Sequence, residues 1–197
     1  MNLFKKIFKN YRESLRDKEI KEHHVHLSLD DSFVHNFINK GGKFLYCTKI
    51  KEVTVHLNHI LNENTWDTIL CNDIDLLKLI KNPANTTQSK FDSALPFFTS
   101  CEHLIASNGD ILFSSNQLGS HKLSSFSENF IVYATTSQIV KNTGEGLTGI
   151  KTHFSGNIPT NISAIKNYTI KRNTEEHFMD YGNTNSKNLY LLLFEDL

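Results

Sequence analysis

Between Lys43 and Lys81 short apolar runs alternate with segments of helical spacing, and this alternation restricts the fold more than any other feature. Gly41-Gly42 opens the apolar run Lys43-Phe-Leu-Tyr-Cys-Thr48. Residues 50–63 then place Val53, Leu57, Ile60 and Leu61 three and four apart. Asp67-Thr-Ile-Leu-Cys71 is apolar again, and Asp73 to Lys81 is helical and stops before Pro83. Short apolar strands and segments of period 3.6 follow one another at these intervals, which predicts βα units and a mainly parallel sheet.

The elements on either side fit the same α/β class. Asp30 or Asp31 caps an expected helix in which Phe33, Phe37 and Ile38 face inward, ended by the Gly41-Gly42 pair. Residues 82–94 are polar (NPANTTQSKFDSA) and read as a crossing loop. Beyond them, Cys101-Glu-His-Leu-Ile-Ala106 and Ile111-Leu-Phe-Ser114 flank Ser107-Asn-Gly-Asp110. Asn-Gly tolerates the positive φ of a type I′ turn, so a hairpin is expected. Phe130-Ile-Val-Tyr-Ala-Thr135 reads as a central strand, with Thr136-Ser137 capping a helix through Gln138-Ile-Val140. The stretch from Lys151 to Lys187 is poorly periodic. Asn188 to Glu195 is a strongly apolar strand, expected inside the sheet.

The chain has 197 residues, which suits one domain with a real core. Lys and Arg total 21 against 21 Asp and Glu, so the overall charge gives no support to a nucleic-acid partner. The balance is uneven: residues 1–21 carry seven basic and three acidic groups. Residues 1–20 are read as an amphipathic basic helix ahead of a single domain over 21–197. Its apolar face is Leu3, Phe4, Ile7, Phe8, Tyr11 and Leu15. Membrane contact through residues 1–17 is the weaker reading of that helix; cover for a core or a partner is the stronger. No apolar run is long enough for a membrane span and no signal-peptide core is evident, so a cytoplasmic location is expected.

Cys47, Cys71 and Cys101 lie far apart in apolar runs without CxxC spacing, which predicts buried free thiols and neither disulfide nor metal cluster. His23, His24 and His26 lack further ligands nearby and are read as ordinary histidines. His103 and His121 flank the hairpin and have the right titration range for acid–base work. Glu102 and Glu145 are weighed as carboxylate nucleophiles toward a thioester, as weak candidates. No Walker loop, GxGxxG, HExxH or GxSxG motif occurs.

The stretch from Cys101 to Leu147 resembles the LUD (lactate utilisation) domain family, in its small LutC/YkgG-like branch. The matching residues are Ala106-Ser-Asn-Gly-Asp110, Ile111-Leu-Phe113, His121-Lys-Leu-Ser-Ser125, Phe130-Ile-Val-Tyr133 and Ser137-Gln-Ile-Val140, with Gly146-Leu147 in the helix that follows. Their order and spacing hold over nearly a quarter of the chain. The chain reads as a divergent member. Ser107 stands where the family has an acidic residue, and the family's later Gly-Pro-Ser and His-Gly-Pro segments are not recognisable between Gly156 and Lys187, although Asn161 to Ile165 takes part of the former's place.

The resemblance implies a three-layer α/β/α sandwich with a mainly parallel sheet, similar to the ribose-5-phosphate isomerase and CoA-transferase class of folds. It also implies an accessory or ligand-binding subunit related to the oxidation of L-lactate to pyruvate. Iron–sulfur clusters would then belong to partner oxidoreductase subunits, and none would be bound by this chain. The alternative is a stand-alone binding or regulatory module for an anionic metabolite, a sugar phosphate or CoA ester, without catalysis.

Ligands of parallel α/β sheets collect at the carboxyl ends of the strands. The candidate ligand-binding residues are accordingly Asn108 and Gly109, then Ser114, Ser115, Asn116, Gly119 and Lys122, then Thr136, Ser137 and Gln138. Hydroxyls, amides, free N–H groups and one cation suit a phosphate or carboxylate. The plain reading of the same residues, a helix cap and a surface loop, carries the greater weight.

Overall fold

A computed structural model describes residues 27–80, 86–87, 91–169 and 185–196. The basic helix expected over residues 1–20 lies outside this range, as do His23, His24, His26 and most of the polar 82–94 stretch. The first described helix, α1 (Leu29–Asn39), is capped by Ser28, whose hydroxyl accepts the Asp31 N–H at 3.1 Å. Asp30 and Asp31 therefore sit in its first turn rather than at the cap. Phe33 and Phe37 are buried as expected, but Ile38 is half exposed.

Strand β1 (Lys43–Cys47), helix α2 (Ile50–Glu63), strand β2 (Ile69–Leu70) and the short helix α3 (Ile74–Leu77) follow in the expected alternation. Next come β3 (Thr86–Thr87), β4 (Phe97–Thr99), the hairpin β5 (His103–Ile105) and β6 (Asp110–Phe113), and helix α4 (Ser115–Leu118). The described chain ends with β7 (Asn129–Thr135), β8 (Ile139–Val140), α5 (Thr143–His153), β9 (Ser163–Ile165) and β10 (Asn188–Phe194).

Six strands form one parallel sheet in the order β1-β10-β7-β4-β2-β3. Alternation along its strands builds two cores, because successive side chains of a strand point to opposite faces. Phe130, Val132, Ala134, Leu189, Leu191 and Leu193 pack on one side with Phe33 and Phe37 of α1. Ile131, Leu192, Phe98 and Cys47 pack on the other with Val53, Leu57 and Ile60 of α2. The result is the three-layer α/β/α arrangement. Apolar residues on both faces explain why β10 reads as an unbroken apolar run.

A second sheet of four strands, β8-β5-β6-β9, lies on the α1 side. Leu104, Ile111 and Phe113 turn one of its faces into the same core as Phe33 and Phe37. Its other face is closed by α5, where Gly146 passes close to Ile105 and Leu112. This sheet replaces part of an expected helix. Ile139 and Val140 pair in parallel with Leu104 and Ile105, so only Thr136–Gln138 turn, as a 3₁₀ segment. The α-helix starts at Thr143 with Asn142 as its cap. Two β-branched residues flanked by a capping Asn favour this division.

The hairpin forms, but with a four-residue turn over Ala106–Gly109 instead of a type I′ pair. Only Gly109 takes positive φ, at +72°. All three cysteines are buried free thiols. No helix among the described residues is long and apolar enough to cross a membrane.

Candidate functional site

The carboxyl ends of β4, β7 and β10 meet on one rim, with Thr99 beside Val132 in the β4–β7 register and Thr135 beside Phe194 in the β7–β10 register. Chain leaving β4 passes through Ser100, Cys101 and Glu102 into the small sheet, and Glu102 becomes the centre of a polar network. One carboxylate oxygen, Oε1, accepts the Ser114 hydroxyl at 2.5 Å, the Asn116 amide at 2.9 Å and the Gln117 amide at 3.2 Å. Gln117 in turn accepts the Ser114 N–H at 2.9 Å, closing the cap of α4. Ser114 is wholly buried, whereas Glu102 is only partly so. Glu102 Oε2 has no partner among the described residues.

Gln138 joins this network to the end of the central strand. Its side-chain amide donates to the carbonyls of Cys101 at 2.6 Å and Glu102 at 3.3 Å, while its oxygen accepts the Thr135 N–H at 2.8 Å. Next to it, Thr136 and Ser137 surround the carboxylate of Asp196. The Thr136 hydroxyl donates at 2.7 Å, the Ser137 N–H at 3.0 Å and the Ser137 hydroxyl at 2.6 Å. Burial pushes the Asp196 carboxyl up, but the hydrogen bonds from Ser137, Thr136 and Thr135 outweigh it together. They hold it well below the ordinary carboxylate range.

The same rim carries further acid. Asp73 caps α3 and accepts the Ser100 hydroxyl at 3.2 Å. Asp30 is pushed up by burial and by the neighbouring charges of Asp31 and Glu195. Tyr46 is raised to about 12, by burial first and then by its hydrogen bond and charge relation to Glu195. The ion pairs formed among the described residues, Lys40–Asp110 and Lys78–Asp75, leave Glu102 and Asp196 without a cation. Also among the described residues, no three His, Cys, Asp or Glu side chains are grouped to hold a metal ion.

The expected site residues thus fall into four places. Ser114, Asn116 and Gln138 converge on Glu102, and Ser115 stands beside them, tied to Thr160 through its N–H at 2.8 Å and its hydroxyl at 3.0 Å. Thr136 and Ser137 gather at Asp196. Asn108 and Gly109 lie at the other end of the hairpin, beneath α1. There Asn108 donates to Asp110 at 2.9 Å, and Tyr168 donates to the Gly109 carbonyl at 2.6 Å. Gly119 and Lys122 are exposed past the end of α4.

The two histidines also separate. His103 lies under α5, its Nδ1 3.3 Å from the Gln138 carbonyl and its other ring edge against Gly149. His121 stacks on Phe91 with ring centres 3.9 Å apart. Asp196 went unnoticed in the sequence. The available signal was its place directly after an apolar strand, which puts it at the carboxyl edge if that strand is central and parallel.

The family model for the LUD domain matches residues 13–194. A crystal structure of a DUF162 family protein from Deinococcus radiodurans is similar in fold, with a TM-score of 0.60 at 11% identity. The match covers 86% of this chain and 99% of that one. A comparison with curated proteins finds no match. The chain belongs to the LUD domain family.

Proposed function

We propose that the chain is an accessory or ligand-binding subunit in lactate utilisation, acting beside iron–sulfur partners that oxidise L-lactate to pyruvate. Membership of the LUD domain family carries this reading. The rim supports it by its chemistry. Glu102 and Asp196 are fixed acceptors without a cation among the described residues, so a positive group from a partner surface would complete the site. Co-purification of the full chain from its native cell tests the proposal. Iron–sulfur proteins recovered with the chain are the expected result, and their absence counts against it.

A second reading has its own observation. The Thr135–Ser137 turn already holds one carboxylate, that of Asp196. A turn that takes an internal carboxylate has the donors for a metabolite's anionic group, once Asp196 is displaced. On that reading Asp196→Asn strengthens binding of inorganic phosphate or L-lactate, Ser137→Ala weakens it, and Lys122→Ala weakens it further if the α4 loop takes part. Identical affinities across these variants remove the anion module.

A further inference from the structure

We infer that residues 2–16 dock as a helix of this same chain along α1 and the outer side of β1, completing the layer on the α1 side of the large sheet. β1 is an edge strand of that sheet and pairs with β10 alone among the described strands. Phe44 and Tyr46 share the α1-side face of β1, with ring centres 6.4 Å apart, and Val34 of α1 joins them at the half-buried margin of the core. Val34 stands four residues from both Asp30 and Ile38, so the three make one stripe along α1. Ile38, at the far end of the stripe, is 50% exposed. An apolar margin beside an edge strand is a place that proteins cover with a helix.

The near end of the stripe is acidic. Asp30 and Asp31 lie in the first turn of α1, and the Glu195 N–H donates to the Cys47 carbonyl at 2.9 Å, which fixes Glu195 at the carboxyl end of β1. The charge of Glu195 reaches Asp30, and Tyr46 hydrogen-bonds to Glu195. None of these three carboxylates forms an ion pair among the described residues. The surface is therefore an apolar strip with a negative end.

Residues 2–16 match it in pattern, charge and place. Leu3, Phe4, Ile7, Phe8, Tyr11 and Leu15 give a helix one apolar stripe, and residues 1–21 carry seven basic groups against three acidic ones. The segment joins the described chain at Leu27, one residue before the cap of α1 and so beside the acidic end. Residues 17–26 reach up to about 33 Å when extended, about twice the length of α1, and so leave room for the helix to lie along it. The LUD domain match begins at residue 13, within the segment. Residues 170–184 suit the strip less well. They carry two basic groups against three acidic ones, and they follow Thr169, which meets Lys40 at the opposite end of β1. With its apolar face on the domain, the segment is not a membrane anchor.

Hydrogen exchange of the full chain, read by mass spectrometry, tests the docking. An isolated helix of this length is marginal in water, so amides of residues 3–16 should exchange at least about tenfold more slowly in the protein than in a peptide of the same sequence. Ile38→Lys, and separately Asp30→Asn combined with Glu195→Gln, should remove most of that protection while β7 and β10 keep theirs. Phe8→Asp makes the same change from the segment's side, where no residue of the described core is altered. Exchange at the peptide's rate in the wild type overturns the inference. So does protection that none of these variants lowers, that grows with protein concentration as contact with a second copy would, or that arises only with vesicles of anionic lipid. Protection of residues 170–184 that Ile38→Lys removes would give the strip to that segment and overturn it equally.

Discussion

The carboxylate of Asp196 accepts the Ser137 N–H at 3.0 Å and the Ser137 hydroxyl at 2.6 Å, so one side chain ties the segment after β10 to the turn after β7. The donors depress the Asp196 pKa below its ordinary 3.8. A depressed folded value means that the charged form is favoured in the native state. The contribution is therefore complete above the unfolded pKa and is lost as pH falls through the folded one. Carbon-detected NMR titration should place the Asp196 midpoint below that of a free aspartate, and Thr136→Val or Ser137→Ala should move it upward. Because Asp196 is exposed, Asp196→Asn should cost only about 1 kcal/mol or less.

Gly109 answers a different question, whether the Asn-Gly turn serves a ligand or the fold. Its φ is +72°, and a Cβ there would lie 2.6 Å from the Phe37 backbone nitrogen and 2.7 Å from the Asn36 carbonyl carbon. Neither neighbour is the flexible end of a side chain. Gly109→Ala should thus destabilise by about 3 kcal/mol or more, adding left-handed strain to backbone overlap. Chemical denaturation checks this; a change under 1 kcal/mol would mean that α1 is not packed on the turn as described.

What the sequence made legible follows from locality. The β1-α2-β2 alternation, the burial of Phe33 and Phe37, and the glycines before β1 all depend on spacing within a few residues, and the structure agrees with each. The division of the strands into two sheets does not. Ile139 and Val140 read equally well as a helix start, and only their pairing with Leu104 and Ile105, more than thirty positions earlier, makes them a strand. The candidate site has the same limit. Ser114 and Asn116 were visible as polar residues after a strand, and Glu102 as a carboxylate, yet nothing local says that they share one oxygen atom. The approach of Asp196 to Ser137 spans nearly sixty residues, and the turn signal at Asn108 does not report that this residue lies at the opposite end of the hairpin from Ser114, bonded to Asp110.

The thiols offer a direct check on the core. Burial above all pushes Cys47 and Cys71 up to about 11, and Cys101 is raised as well. Since the thiolate is the reactive form, native protein near neutral pH should not react with an aromatic disulfide reagent, whereas all three cysteines should react in denaturant. Rapid modification of any of them in the folded protein would contradict their enclosure between the sheet and its covering layers.

Lys187 provides the last prediction, and it concerns stability against alkaline pH. The residue is 2% exposed, donates to the carbonyls of Phe126 and Ser127 at 2.9 Å each, and lies 5.2 Å over the Phe130 ring. Burial lowers its pKa from 10.5 to about 8, with Glu128 offsetting part of the effect. Below the lowered value both folded and unfolded chains hold the proton, and the native state bears the cost of a buried charge. Between about 8 and 10.5 the unfolded chain binds more protons than the folded one, so stability rises with pH across that window. The slope from this one group approaches about 1.4 kcal/mol per pH unit at most. Urea unfolding of wild type and Lys187→Met at successive pH values isolates it, because the cysteines and tyrosines titrate alike in both. Wild type should gain on the variant as pH climbs through the window. A difference that stays constant would show that Lys187 keeps its ordinary affinity for the proton, and that its two carbonyl partners offset its burial in full.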